Sequence, residues 1–131
     1  MRTSILALLA LILAACAGAP TGPQAGEVPL TKDEIIANHT NTAIKGKMGN
    51  GDRFESAFAA DHTVKSTYRS NGGSESDEGQ WSLSDSDGET ICLTWKKWEK
   101  SCWKDYKAGD AYVSYEQGGK KRRASFTVTP N

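Results

Sequence analysis

GQWSLSDSDGETICLTWKKWEKSCWKDY, residues 79–106, contains all four tryptophans of the chain and two of its three cysteines. Its short runs of β-branched and aromatic residues are separated by turn residues, which is typical of consecutive antiparallel strands. A hairpin centred on Lys97 places Cys92 directly opposite Cys102, because both are equally far from the centre. Opposed residues in such a pair have the separation that a disulfide needs. The stretch therefore predicts three strands, with a disulfide between the second and the third.

The same register divides the side chains of this stretch between two faces. Side chains in a strand alternate between faces, so a shift of one residue would exchange them. We expect six apolar side chains to share the core face: Trp81, Leu83, Ile91, Leu93, Trp95 and Trp103.

Similar runs occupy most of the remaining chain, broken every eight to twelve positions by glycine, asparagine or aspartate. This spacing favours a mainly β fold: a small antiparallel up-and-down, lipocalin-like barrel or half-barrel of about eight strands. The polar segment 70–78 is predicted to be a long loop. The predicted strands are Thr42–Met48, Arg53–Phe58, Val64–Arg69, Gly79–Leu83, Thr90–Trp95, Ser101–Tyr106, Ala111–Tyr115 and Ala124–Val128.

One short N-terminal helix precedes these strands. Thr31 and Glu34 have the spacing of a capping box, and apolar residues follow at once. We expect the helix to run from Lys32 to Asn38.

The N-terminus has the features of an export signal. Residues 1–15 combine one basic residue, an apolar run and small residues, and are too short to span a bilayer. The sequence Leu13-Ala14-Ala15-Cys16 resembles the bacterial lipobox, which implies lipidation of Cys16 and membrane anchoring. The alternative is cleavage near Ala19 without a lipid. An alanine at position 17 resembles the pattern sorted to the outer membrane, facing the periplasm.

Residues 16–30 are rich in proline and glycine, so we interpret them as a lipid-anchored flexible tether. Residues 31–131 then form one β-barrel-like domain. Without the leader, the chain has 15 basic and 16 acidic residues, a net charge of −1. Such a charge gives no attraction to nucleic acid, and we expect a monomer.

No catalytic constellation is visible, so we expect neither an enzyme nor a cofactor. His39 and His62 lack partners at metal-ligand spacing and are predicted to be surface residues. The acidic run Asp85–Glu89 superficially resembles a calcium loop but lacks its terminal glutamate. We interpret it as a solvated hairpin turn.

Two surfaces are candidates for binding. The first is the hairpin tip formed by Lys96, Lys97, Trp98 and Lys100, where an exposed tryptophan among cations favours a protein partner. Alternatively, Trp98 folds back over the barrel mouth. The second is a barrel interior lined by Trp81, Trp95, Trp103 and Tyr112. The basic run 120–123 is less specific, because its members alternate between faces of a strand.

The order of several motifs resembles a family of small exported bacterial proteins that is known only as a domain of unknown function. These motifs are Gly79-Gln80-Trp81, Ile91-Cys92-Leu93, Cys102 and the C-terminal Thr-Pro-Asn. The run 60–64 is similar to the family's Asp-Gly-Thr turn, with His62 in place of glycine. The resemblance covers roughly residues 31–131 and implies an exported, lipocalin-like fold with no known activity.

Together these features predict a membrane-anchored envelope lipoprotein that acts as a non-catalytic interaction module, in one version an inhibitor of a hydrolase. The alternative is a lipocalin-like carrier of a small apolar ligand. An accessible apolar cavity would favour the carrier, whereas a filled barrel with a protruding Trp98 would favour the interaction module.

Overall fold

The computed structural model describes residues 22–117 and 121–131. The predicted signal peptide and Cys16 lie outside these residues. The elements are β1 (Val28–Pro29), α1 (Lys32–Asn38), β2 (Thr42–Met48), β3 (Arg53–Phe58), β4 (Thr63–Ser70), β5 (Gly73–Leu83), β6 (Thr90–Trp95), β7 (Ser101–Ala108), β8 (Ala111–Glu116) and β9 (Arg122–Pro130).

Strands β2 to β9 form a closed, eight-stranded, up-and-down barrel. Each pairs antiparallel with its neighbour in the chain, and β9 pairs back with β2 along its length. Closure gives every strand of the barrel a neighbour on both sides, which limits a route to aggregation. The mainly β, lipocalin-like fold predicted from the sequence is confirmed.

The predicted core face of the central stretch is confirmed. Ile91 is fully buried, and Trp81, Leu93 and Trp103 are at most 5% exposed. Leu83 and Trp95 are partly buried against this core. Alternation along each strand puts these side chains inside the barrel.

The predicted disulfide lies in the same stretch. Cys92 and Cys102 are direct cross-strand partners of β6 and β7, and their sulfur atoms are bonded. The bond therefore links two adjacent strands of the barrel wall.

The helix has the predicted bounds. The Thr31 hydroxyl accepts a hydrogen bond from the Glu34 amide at 3.3 Å, and the Glu34 carboxylate accepts one from the Thr31 amide at 2.8 Å. Ile35, 1% exposed, packs into the core from the helix. The helix therefore covers the end of the barrel at which β2 begins.

The prediction of a long polar loop over residues 70–78 is wrong. Only Asn71-Gly72 forms the turn, and β5 begins at Gly73, which has φ +134°. The segment pairs along β4, and the Thr67 and Ser76 hydroxyls bond across the strands at 2.9 Å. Both faces of this extension are polar, so it lacks the alternation from which strands are recognised.

The tether prediction needs a correction at its C-terminal end. Val28 and Pro29 form a short strand against Lys107 and Tyr106 of β7. Leu30 is 3% exposed and belongs to the core. These residues are held because β6 pairs with β7 only as far as Lys104, so β1 occupies the vacant edge beyond it.

The motif residues Gly79 and His62 have structural roles. A Cβ atom on Gly79 would overlap the Thr94 carbonyl oxygen of β6, so this position requires glycine. His62 adopts φ +69°, a conformation that costs free energy in a non-glycine residue. Its ring stacks on Trp81, with centroids 4.2 Å apart and planes 4° from parallel. This stack holds the ring although the backbone is strained.

Candidate functional site

A chamber of about 320 Å³ lies inside the barrel. Aromatic side chains supply much of its wall: Phe54, Phe58, Trp95, Trp98, Trp103 and Phe126. Ile44, Met48 and Leu93 extend this apolar surface. The chamber exists because small serines occupy three inward positions of the wall: Ser56, Ser66 and Ser114.

Two of the four residues predicted to line a ligand cavity lie in the wall of this chamber. Trp95 and Trp103 contact the chamber, whereas Trp81 and Tyr112 do not. Trp81 is packed between His62 and His39 near the helix-covered end. Tyr112 stacks on the side of Phe126. Both pack against other side chains, an arrangement that inward alternation alone does not distinguish from contact with the chamber.

The hairpin tip folds toward the barrel. Trp98 is half-buried, contributes to the chamber wall and packs edge-on against Trp95, with centroids 5.0 Å apart. This is the folded-back position that the sequence left open as an alternative. Of the other tip residues, Lys96 pairs with Glu78 at 2.8 Å, while Lys100 is exposed.

Asp77 holds this tip in place. Its Oδ2 atom accepts hydrogen bonds from the backbone amides of Lys97 and Trp98, at 2.8 and 2.9 Å. Its Oδ1 atom accepts another from the Glu78 amide at 2.8 Å. Burial raises the pKa of Asp77, but these three donors outweigh it and bring the pKa below its ordinary value.

His39 lies in the floor of the chamber and is 1% exposed, so its prediction as a surface residue is wrong. It follows α1 directly, and its Nδ1 atom bonds the Ile35 carbonyl at 2.7 Å. Its ring meets Phe58 edge-on, with centroids 4.7 Å apart. Burial lowers the pKa of His39 to about 4, although the bond to Ile35 opposes this shift.

Asp105 is a second buried polar group that sequence reasoning missed. It is 2% exposed, and its Oδ2 atom lies 3.8 Å from Nε2 of His39. Neither carboxylate oxygen has a hydrogen-bond partner among residues 22–117 and 121–131. Burial raises the pKa of Asp105 to about 7, while the charge of Arg123 opposes the rise. The sequence contained a signal for this burial, because Asp105 lies on the same face of β7 as Trp103, which was predicted to be a core residue.

Arg123 reaches the chamber through a β-bulge. Ser114 pairs with Ala124 and Tyr115 pairs with Arg122, so Arg123 is an extra residue on β9. A bulge redirects the side chain of the extra residue. The guanidinium of Arg123 therefore lies over the Trp103 ring, 3.9 Å from its centroid. Strict alternation along the basic run does not predict this position.

Within the described part of the chain, no group of three or more histidine, cysteine or acidic side chains is arranged to hold a metal ion. The acidic segment after β5 forms a turn, as predicted. There Asp87 Oδ1 accepts hydrogen bonds from the Glu89 and Thr90 amides, both at 2.8 Å. No helix of the described residues is long and apolar enough to cross a membrane.

Comparison with protein-family models, with curated proteins and with solved structures finds no significant match in any of the three. The resemblance to a family of exported proteins therefore stays a prediction.

Proposed function

We propose that this domain is a lipocalin-like binding protein that holds a small, mainly apolar molecule inside its barrel. The observation that carries the proposal is the chamber of about 320 Å³ with a largely aromatic wall. Ligand sites in proteins are concave, mostly apolar and contain a few convergent polar groups. His39 and Arg123 supply such groups here.

The position of Trp98 supports this proposal over the interaction module. A tryptophan that anchors a protein partner presents its indole to that partner. Here the indole contributes to the chamber wall and contacts Trp95, so it is placed to cover a ligand. Asp77 fixes that placement through two amides of the tip.

We also propose that the domain is attached to the bacterial envelope through a lipid on Cys16. The lipobox pattern supports this attachment, and the outer membrane facing the periplasm is the proposed location. Replacement of Cys16 with alanine should move the protein from the membrane fraction to the soluble fraction. Persistence in the membrane fraction would contradict the anchor and leave the barrel proposal untouched.

Binding is tested by titrating the purified protein with decan-1-ol and following tryptophan fluorescence and heat. Wild type should bind, because the alcohol can fill the chamber and change the surroundings of Trp95, Trp98 and Trp103. The Ser114→Leu variant, which fills part of the chamber, should bind more weakly.

The matched control is Ser125→Leu, the same change on β9 at an exposed position outside the barrel. It should bind decan-1-ol as wild type does. Absence of binding to wild type, or equal binding by the Ser114→Leu variant, would contradict the proposal.

A further inference from the structure

Arg123 is a cation directed at an apolar chamber without an anionic partner among the described residues. No carboxylate oxygen of those residues lies within 4.0 Å of its guanidinium, in contrast to Arg122, which pairs with Glu27 at 3.5 Å. No described side chain or carbonyl accepts a hydrogen bond from it either. It is only partly exposed, and its cationic group faces Trp103. A largely desolvated charge without a partner is costly, so the described residues by themselves do not satisfy this group.

The titratable groups near Arg123 do not remove that cost. The charges of Asp105 and Glu116 both act on Arg123, but Glu116 is exposed to water, and burial raises the pKa of Asp105 to about 7. Near neutral pH this carboxyl is therefore protonated in a substantial fraction of molecules. His39 contacts Asp105 from the floor and is neutral near pH 7, because burial lowers its pKa to about 4. Burial also lowers the pKa of Arg123, but a guanidinium stays protonated.

The chamber limits the size of the ligand. A cavity of about 150 Å³ accommodates benzene, which has six non-hydrogen atoms. By the same proportion, the chamber of about 320 Å³ accommodates roughly twelve such atoms. Its aromatic wall has room for a hydrocarbon chain or ring, and Arg123 offers paired donors that match a carboxylate.

We propose that the ligand is a small amphipathic acid, whose carboxylate binds the Arg123 guanidinium and whose hydrocarbon part fills the aromatic chamber. This inference rests on the proposed function and adds the chemical class of the ligand. The ligand supplies the anion that Arg123 lacks, and Trp98 covers the chamber above it.

The chamber wall also offers the opposite polarity. Glu75 also lines the chamber, and aromatic rings with a carboxylate can bind an ammonium group. Glu75 is exposed, so water solvates its charge without a ligand. Arg123 is the more buried charge, and satisfying it yields the larger gain. An amine is therefore the competing probe in the experiment.

The experiment compares decanoate, decan-1-ol and decylamine at pH 6 by calorimetric titration of the purified protein. The three probes share one hydrocarbon chain and differ in head group. Decanoate should bind at least about tenfold more tightly than decan-1-ol, because its hydrogen bonds to the cation are charge-assisted. Decylamine should bind most weakly.

The Arg123→Met variant should lose about tenfold or more in affinity for decanoate and keep its affinity for decan-1-ol. The alcohol thus reports that the chamber is intact in the variant. The matched control is Arg122→Met, one residue away and directed outside the barrel, which should bind all three probes as wild type does.

The outcomes separate this inference from the proposed function. Equal binding of decanoate and decan-1-ol to wild type, or tighter binding of decylamine, would overturn the acid class and leave the binding function standing. Failure of all three probes to bind would overturn the binding function itself. The comparison of probes uses wild type alone, so it holds even if Arg123→Met fails to fold.

Discussion

His39 and Asp105 form a buried pair whose effects on stability should oppose each other as pH changes. Their facing atoms, Nε2 and Oδ2, lie 3.8 Å apart, and both side chains are almost fully buried. Burial disfavours the charged form of each group, so it lowers the pKa of His39 and raises the pKa of Asp105.

The contribution of Asp105 follows from the two values of its pKa. The pKa is 3.8 in the unfolded chain and about 7 in the folded protein, so the folded state binds the proton more tightly. The stabilisation is fully present below pH 4 and is lost as pH rises through 7. At 1.36 kcal/mol for each pKa unit, the loss is about 4 kcal/mol.

The contribution of His39 has the opposite sign. Its pKa is 6.5 in the unfolded chain and about 4 in the folded protein, so the folded state binds the proton less tightly. The stabilisation is present above pH 6.5 and is lost as pH falls toward 4, by about 3 kcal/mol. Between pH 4 and 6.5 the two groups change the free energy of unfolding in opposite directions, each by about 1.4 kcal/mol per pH unit. The two changes therefore nearly cancel in wild type.

Substituting one group of the pair at a time should make the pH dependence contributed by the other group measurable. The assay is urea unfolding at pH 4, 5, 6, 7 and 8, with the free energy of wild type subtracted at each pH. The difference in free energy of unfolding between Asp105→Asn and wild type should rise in favour of the variant by about 4 kcal/mol from pH 4 to pH 8. The same difference for His39→Gln should rise in favour of the variant by about 3 kcal/mol from pH 8 to pH 4.

Each substitution also changes the shape and polarity of a buried side chain, which adds an offset independent of pH, so the test concerns the change with pH alone. A difference between Asp105→Asn and wild type that stays constant from pH 4 to 8 would refute the reasoning. It would mean that Asp105 reaches water in the folded protein, contrary to its burial.

Three further predictions concern the strands around the chamber. Gly79→Ala should destabilise the fold by about 1–3 kcal/mol in urea unfolding, because the new methyl group overlaps the backbone of β6; unchanged stability would mean that β5 and β6 are farther apart. Asp77→Asn should speed hydrogen exchange at the two tip amides that the carboxylate binds, and exchange as slow as in wild type would contradict the clamp on Trp98. Replacement of Cys92 and Cys102 together with alanine should cost about 3 kcal/mol of unfolding free energy, and reductant should lower the stability of wild type but not of the variant.

Much of the architecture could be predicted from local sequence. The capping box of Thr31 and Glu34 defines the helix start, because its hydrogen bonds join residues three positions apart. The spacing of Cys92 and Cys102 defines the hairpin register. Alternation then identifies Ile91, Leu93 and Trp103 as core residues.

Prediction failed where composition and pairing disagree. The segment 73–78 is polar on both faces, so its strand is specified by β4 and by the Asn71-Gly72 turn rather than by hydrophobic alternation. Val28 and Pro29 have a tether-like composition, and they are ordered because β7 leaves an edge unpaired beside them.

The candidate site was predicted only in part. Trp95 and Trp103 were identified as lining residues because inward alternation on adjacent strands brings them together. His39 was missed because its burial depends on how α1 sits against the barrel. The inward turn of Arg123 depends on one extra residue in the pairing of β9 with β8.

By itself, the sequence determined the strand periodicity, the helix cap, the cross-strand disulfide and which faces are apolar. Each of these depends on residues close together in the chain or on a single hairpin. Only the tertiary structure decided that the barrel closes around a chamber, that His39 and Arg123 lie at it, and that Asp105 is buried beside His39. These three come from the helix end, β7 and a bulge in β9, so their proximity depends on closure of the whole barrel and not on any local pattern.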